Sequence, residues 1–297
     1  MRKMRWSNPL AFGKDLWDPS HRYETSWLLP PYVLFAIRFL FGLYALVVNL
    51  TQIGYYCTHQ AAFGGCTAAG NTFSYFTTLT YWGLAFYFLV ASVHTFTYAR
   101  TGTPLLDRWP RYLQALHAFY YSTITVYPFI VTAVYWWRLY SGAWFTQEFA
   151  AFTNLSQHAM NSGFAAFEIL VPRTPLAPWI HMWWLVFVLA LYLALAYLTH
   201  ATKGFYTYDF LDIQENGSGL VAAYIIGIAV ACLVVYGIVK AVMLLRLWLT
   251  EKVLGKDGKF AHQPGYGNED VEMAGFDRNR HKDSHSPCLS NIKQFAV

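Results

Sequence analysis

The segment Asn154–Glu168, NLSQHAMNSGFAAFE, decides how this chain is read. On a straight α-helix, at about 100° per residue, Asn154, His158, Asn161 and Glu168 fall in one narrow stripe on a mostly apolar segment. Lipid cannot satisfy a carboxylate, an imidazole and two amides. In a bilayer such a helix must turn its stripe toward other helices or a water-filled cavity. The segment therefore predicts a polytopic membrane bundle with an internal pocket, and a pocket that holds a histidine can move protons near neutral pH.

The rest of the chain agrees. Apolar residues make up 56% and charged residues 12%, the latter about half the usual share of a soluble domain. Aromatics reach 19%, with Trp and Tyr crowding the segment ends, as at a bilayer interface. The net charge of +5 lies mostly outside the hydrophobic segments. It reads as an orientation signal, and no nucleic-acid partner is expected. The opening residues lack the early apolar core of a cleavable signal peptide.

Six stretches are long enough to span, at roughly 20 residues each: 30–53, 73–97, 114–137, 148–171, 178–200 and 219–249. Basic residues cluster at Arg2, Lys3, Arg5, Lys14 and Arg22, at Arg100, Arg108 and Arg111, at Arg173, and at Lys252, Lys256 and Lys259. The opposite loops hold little beyond Arg138 and Lys203. This bias predicts an all-α bundle of six transmembrane helices with both termini cytosolic. The expected organisation is a cytosolic N-terminal segment (1–29), a six-helix transmembrane domain (30–250) and a disordered cytosolic tail (251–297), too poor in apolar residues to fold alone. Cys57 and Cys66 bracket a Gly-rich loop on the expected outer side, as a disulfide or as two thiols. Asn216-Gly217-Ser218 is a glycosylation sequon on the same side.

Span two carries Thr77 and Thr80 on one face with Leu84, Tyr87 and His94. The ordinary role of a membrane threonine is a hydroxyl bonded to the carbonyl one turn back. Depth points to more: Thr80 lies roughly 10 Å and His158 roughly 15 Å from the outer ends of their spans, so a hydroxyl and an imidazole can meet if these helices pack.

The pattern Asn154-x-x-x-His158, with Glu168 ten residues further on, resembles the histidine segment of the androgen-induced family of intramembrane threonine hydrolases. Leu79-Thr80-Tyr81-Trp82-Gly83-Leu84 is similar to the family's threonine segment. A three-residue shift chooses Thr77 instead, in Tyr75-Phe76-Thr77-Thr78. Gly204 to Asp212 looks like a third family element, with Asp209 in place of a proline. Leu155 stands where the family usually has a second histidine. The resemblance covers about residues 30–250. It implies an intramembrane hydrolase of fatty acid esters of hydroxy fatty acids, with Thr80, or Thr77, as nucleophile and His158 as base. His158-Ala159-Met160-Asn161-Ser162 is also similar to the rolling-stone family of membrane proteins, which implies a non-catalytic protein acting through partners. A small transporter is the third alternative, without the inverted repeat and midplane charges it calls for.

Asn154 or Asn161, each a turn from His158, are candidates to orient its imidazole, as is Glu168 through another helix. Glu168 lies roughly 15 Å along the axis from His158, so an ion pair with Arg38 or Arg173 is the competing role. Arg38 either snorkels to the cytosol or binds a fatty-acid carboxylate. Tyr87 is a further pocket candidate. Pro128 is expected to kink span three and widen the cavity. No HExxH, clustered cysteine or di-histidine pattern calls for a metal, and no cofactor is expected. The expected partners are membrane lipids and a lipid ester, in the endoplasmic reticulum or another endomembrane. The sequence assigns no oligomeric state.

Overall fold

The computed structural model describes residues 17–140 and 142–256. Residues 1–16 and nearly all of the tail expected to be disordered lie outside the described residues. The described chain is helical throughout apart from connecting segments.

Helix α1, Pro31–Thr58, opens on a proline at its first position, where the missing N–H costs nothing. Short helices α2, Gln60–Phe63, and α3, Gly65–Thr72, form a cap beside it, joined to α1 by the Cys57–Cys66 disulfide. Helix α4, Phe76–Thr101, stops at Gly102, which takes the left-handed conformation (φ 76°) that closes the helix end. Helix α5, Arg111–Val134, runs through Pro128 and continues as a π-helical turn, Tyr135–Leu139. Helix α6, Glu148–Leu155, passes into a second π turn, Ser156–Met160, and then into α7, Asn161–Leu170. Helix α8 is Ile180–Lys203, and α9, Ile213–Leu247, ends in a third π turn, Trp248–Val253. Asp212 caps α9, its carboxylate accepting from the Gln214 and Glu215 amides.

Among the described residues, four helices are long and apolar enough to cross a membrane: Pro31–Thr58, Phe76–Thr101, Ile180–Lys203 and Ile213–Val253. The intervening helical stretches 111–139 and 148–170 are not among them, and the second buries six polar side chains, Thr153, Ser156, Gln157, His158, Asn161 and Glu168.

Helices α1 and α4 pack antiparallel with backbones in close approach. A Cβ at Gly42 would meet the Leu89 backbone nitrogen at 2.9 Å, so only glycine fits at this crossing. Aromatic residues fill the centre: Tyr81, Tyr87, Phe88, Tyr121 and Tyr127 are all buried. Phe41 stacks on Phe164 at 4.2 Å, tying α1 to α7.

Residues 17–29 fold into the end of the bundle away from the disulfide. Arg173 N donates to Thr25 O at 2.9 Å, Ser26 Oγ to Val171 O at 2.8 Å and Trp27 Nε1 to Leu170 O at 2.7 Å. Arg246 of α9 donates to the carbonyls of Ile169, Pro172 and Thr174, satisfying the C-terminal end of α7.

Glu24 is 1% exposed, and neither of its carboxylate oxygens has a hydrogen-bond partner. Burial holds this carboxyl well above its ordinary range; Asp18 and Asp107 add repulsion and Arg38 offsets part of it. The folded chain thus keeps a proton that the unfolded chain releases, and stability falls as pH rises past the ordinary glutamate range near 4.3. Glu24→Gln is expected to stabilise the protein at pH 7.5 by about 1–3 kcal/mol, with the gain shrinking toward pH 4. Thermal unfolding in detergent at both pH values measures it, and a lower Tm at pH 7.5 would refute it.

The disulfide closes a short loop, its cysteines nine residues apart. Replacing both by serine is expected to cost about 2–3 kcal/mol. The check is thermal unfolding with and without reductant: wild type loses stability on reduction and the double variant does not respond.

Candidate functional site

At the disulfide end of the bundle lies a cavity of about 600 Å³. Its walls come from α1 (Gln52, Tyr56), the α3 cap (Ala68, Asn71, Thr72), the start of α4 (Tyr75, Thr77, Thr78), the π turn after α5 (Tyr135, Leu139), the α6 region (Thr153, Asn154, Gln157, His158) and the segment before α9 (Phe205, Thr207, Tyr208, Asp209). A second cavity of about 240 Å³ has almost wholly apolar walls, built from α5 and its π turn, α8 and α9, with the start of α4 and the segment before α9. The two share Thr77, Tyr135, Leu139 and Tyr208. A polar chamber and an apolar one thus meet at a threonine, with a histidine on the polar side.

His158 is 7% exposed and sits in the π turn of its helix. Its ring stacks on Tyr135 with centroids 3.6 Å apart and planes 8° from parallel. Tyr135 belongs to the other π turn, so two local distortions face each other across the cavity wall. Such turns recur at functional sites because they re-aim side chains that a regular helix would turn away. Trp136 Nε1 donates to the His158 carbonyl at 2.8 Å, bracing the turn. Nδ1 of His158 is enclosed and has no hydrogen-bond partner, leaving Nε2 as the nitrogen with access to the cavity.

Thr77 and Thr80 differ in setting. Thr77, in the first turn of α4, lines both cavities. Thr80 lines neither, and its hydroxyl donates to Phe76 O at 2.9 Å and Thr77 O at 3.1 Å. Of the two candidate threonines, the one that lines the cavity with His158 is therefore Thr77, the residue chosen by the three-residue shift. The Tyr208 phenol stands next to Thr77. Burial pushes it above its ordinary value, an effect partly offset by hydrogen bonding to Thr77, so it is a neutral hydroxyl at the junction.

The polar stripe divides. Asn154 lines the cavity, and its amide donates to Ala150 O at 2.8 Å. Asn161 faces α5: it accepts from Thr132 Oγ1 at 3.0 Å and donates to Pro128 O at 3.3 Å. Neither amide bonds to His158. Glu168 forms a paired contact with Arg38, Nε–Oε1 at 2.7 Å and Nη2–Oε2 at 2.8 Å. Arg38 also donates to Tyr23 O and Thr95 Oγ1, so all three of its guanidinium nitrogens are engaged by protein groups. Tyr87 lies in that second cluster, its ring stacked on His117 at 5.5 Å. The physical reason for the division is the π turn. It inserts one residue, about 100° of phase, between Asn154 and Asn161, so the stripe of a straight helix does not face one pocket.

Several cavity residues carried no sequence signal. Tyr135, Gln52 and Gln157 are ordinary interface aromatics and amides until the fold assembles them; Gln157 Nε2 donates to Gln52 Oε1 at 2.8 Å. Asp209 lines the cavity and pairs with Arg138 at 3.2 Å. Among the described residues, no three His, Cys, Asp or Glu side chains are grouped to hold a metal ion. The arrangement offers a threonine hydroxyl and a phenol at the junction with an apolar chamber, and an imidazole in the wall of the polar cavity. No family model, curated protein or solved structure matches the chain.

Proposed function

We propose that this protein is an intramembrane hydrolase of lipid esters, taking fatty acid esters of hydroxy fatty acids, with Thr77 as nucleophile and His158 as base. The observation that carries the reading is that Thr77 and His158 line one cavity at its junction with an apolar chamber. An acyl chain in that chamber gains about 0.8 kcal/mol per CH₂, and its ester group comes to rest at Thr77. The stretches 111–139 and 148–170 then complete six spans with both termini cytosolic, in the endoplasmic reticulum or another endomembrane.

In this scheme Thr77 Oγ1 attacks the ester carbonyl carbon and its proton passes to His158 Nε2. Collapse of the tetrahedral intermediate expels the alcohol, which takes that proton. Water then attacks the acyl-threonine, gives a proton to His158, and releases the acid as threonine is re-protonated. Stacking on Tyr135 holds the imidazole plane.

One observation favours a second reading. Nδ1 of His158 lacks the acceptor that usually orients a catalytic imidazole, which suits a non-catalytic protein of rolling-stone type acting through partners. Hydrolysis of a fatty acid ester of a hydroxy fatty acid by purified protein in detergent separates the two. Turnover by wild type that is lost in both folded Thr77→Ala and His158→Ala supports the hydrolase. An inactive, well-folded wild type across several acyl esters leaves the non-catalytic reading.

A further inference from the structure

The apolar chamber has two unlike sides. On the inner side its wall residues are buried: Ile130 of α5 is 4% exposed and Phe210 of the segment before α9 is 3% exposed. The outer side is made by α8 and α9, and none of their wall residues is buried. Val186, Leu189, Ala190 and Leu193 form a stripe along α8 at the three- and four-residue steps of one helix face. Ala190 is exposed while it lines the chamber. Alanine has a single side-chain carbon, so the wall at this point is one methyl group thick.

The two helices of this side are tied at their ends. The Tyr236 hydroxyl of α9 donates to Pro178 O at 2.7 Å and Lys240 Nζ to Ala177 O at 2.7 Å, just ahead of α8. At the opposite end the Tyr197 hydroxyl of α8 donates to Leu211 O at 3.4 Å, just ahead of α9. Among the described residues, no hydrogen bond joins α8 to α9 between these ties. Ala190 lies between them, roughly 15 Å along α8 from its first residue, Ile180. That places it near the middle of a hydrocarbon layer about 30 Å thick.

We infer that the seam between α8 and α9 at Ala190 is a lateral port, through which the acyl chain of a bilayer lipid enters the apolar chamber. The surroundings identify the occupant. Both helices are long and apolar enough to cross a membrane, so the port opens on acyl chains. The chamber walls are almost wholly apolar, so they suit a chain and not a head group. A chain taking this route never meets water, and its apolar surface stays covered throughout. The chamber ends at Thr77 and Tyr208, which also line the polar cavity, so the polar group that carries the chain is left at that junction. The inference rests on the hydrolase reading for the acyl chain in the chamber, and not on turnover.

The test is photo-cross-linking of the full chain in phosphatidylcholine vesicles. The probe is a non-hydrolysable ether analogue of the hydroxy fatty acid ester, with a diazirine midway along its alkyl chain. Adducts are mapped by mass spectrometry. Wild type is expected to carry adducts on Ile130 and Phe210, which line the chamber and are buried from the bilayer. Leu191, 55% exposed and outside the chamber wall, reports simple lipid contact. In Ala190→Trp the new side chain leans back along α8 toward Val186 and closes the seam. The Ile130 and Phe210 adducts are then lost while that on Leu191 remains. Leu191→Trp, equally bulky but off the chamber, keeps the Ile130 and Phe210 adducts. Ala190→Leu narrows the same opening and is expected to weaken them, which serves if the tryptophan variant fails to fold. Absence of adducts on Ile130 and Phe210 in wild type overturns the inference. So does full labelling in the folded Ala190 variants, or equal loss in Leu191→Trp. An active wild type without these adducts leaves the hydrolase reading standing and removes the port. A wild type inactive on every ester that still carries them keeps the port and removes the hydrolase.

Discussion

Thr77→Ala and His158→Ala are expected to reduce kcat for ester hydrolysis by about 10³-fold or more, whereas Thr80→Ala keeps activity within about threefold. The contrast follows from where the hydroxyls point. Thr80 is committed to the carbonyls of Phe76 and Thr77 in its own helix and faces neither chamber. Thr77 stands at the junction, beside Tyr208 and across from the Tyr135–His158 stack. Nucleophile and base act as a unit, so the double variant should be little worse than either single one. Loss with Thr80→Ala and full activity in Thr77→Ala, both folded, would reverse the assignment. Equal activity of all the variants would show that hydrolysis comes from a contaminant or from another site.

The largest effect on stability is expected at the other end of the bundle. Arg38 and Glu168 are 1% and 0% exposed and meet through two short charge-assisted hydrogen bonds. Removing either partner alone strands a buried charge. Glu168→Ala and Arg38→Ala should each cost about 3–5 kcal/mol, read as a fall in Tm or as loss of folded protein in detergent. The double replacement Arg38→Met with Glu168→Leu should recover most of that loss, because an apolar pair of similar volume pays no desolvation. Residual folded Glu168→Ala protein should retain kcat, since neither residue lines the cavity holding His158. A single variant with unchanged Tm would show that the pair contributes nothing, and selective loss of kcat at full stability would return Arg38 to a role in binding a carboxylate.

How far the site could be read in advance differs residue by residue. His158 was legible because an imidazole on an apolar helix demands a polar neighbourhood, and it lines a cavity. Glu168 and Arg38 were legible as a possible pair, since two buried opposite charges have few other outcomes. Thr77 and Thr80 were not separable by spacing: one turn apart on the same face, they differ in which meets Tyr208 of the segment before α9, and that is decided by contacts distant in sequence. Tyr135 gave no signal in a chain so rich in aromatics.

The sequence by itself determined an all-helical protein whose long apolar helices suit a membrane, because hydrophobic length and helical periodicity are local properties of the chain. It also determined that the polar stripe of Asn154–Glu168 turns inward, since its carboxylate, imidazole and amides cannot be left to lipid. Only the tertiary structure decided how that stripe is shared out. The π turn at Ser156–Met160 shifts the helix by a residue between the cavity-lining Asn154 and Asn161, which bonds Thr132 and Pro128, while Glu168, roughly 15 Å beyond His158 along the axis, meets Arg38. A shift of phase of this kind is set by the packing of α1, α4 and α5 around the turn, and packing between segments a hundred residues apart is not written in any one of them.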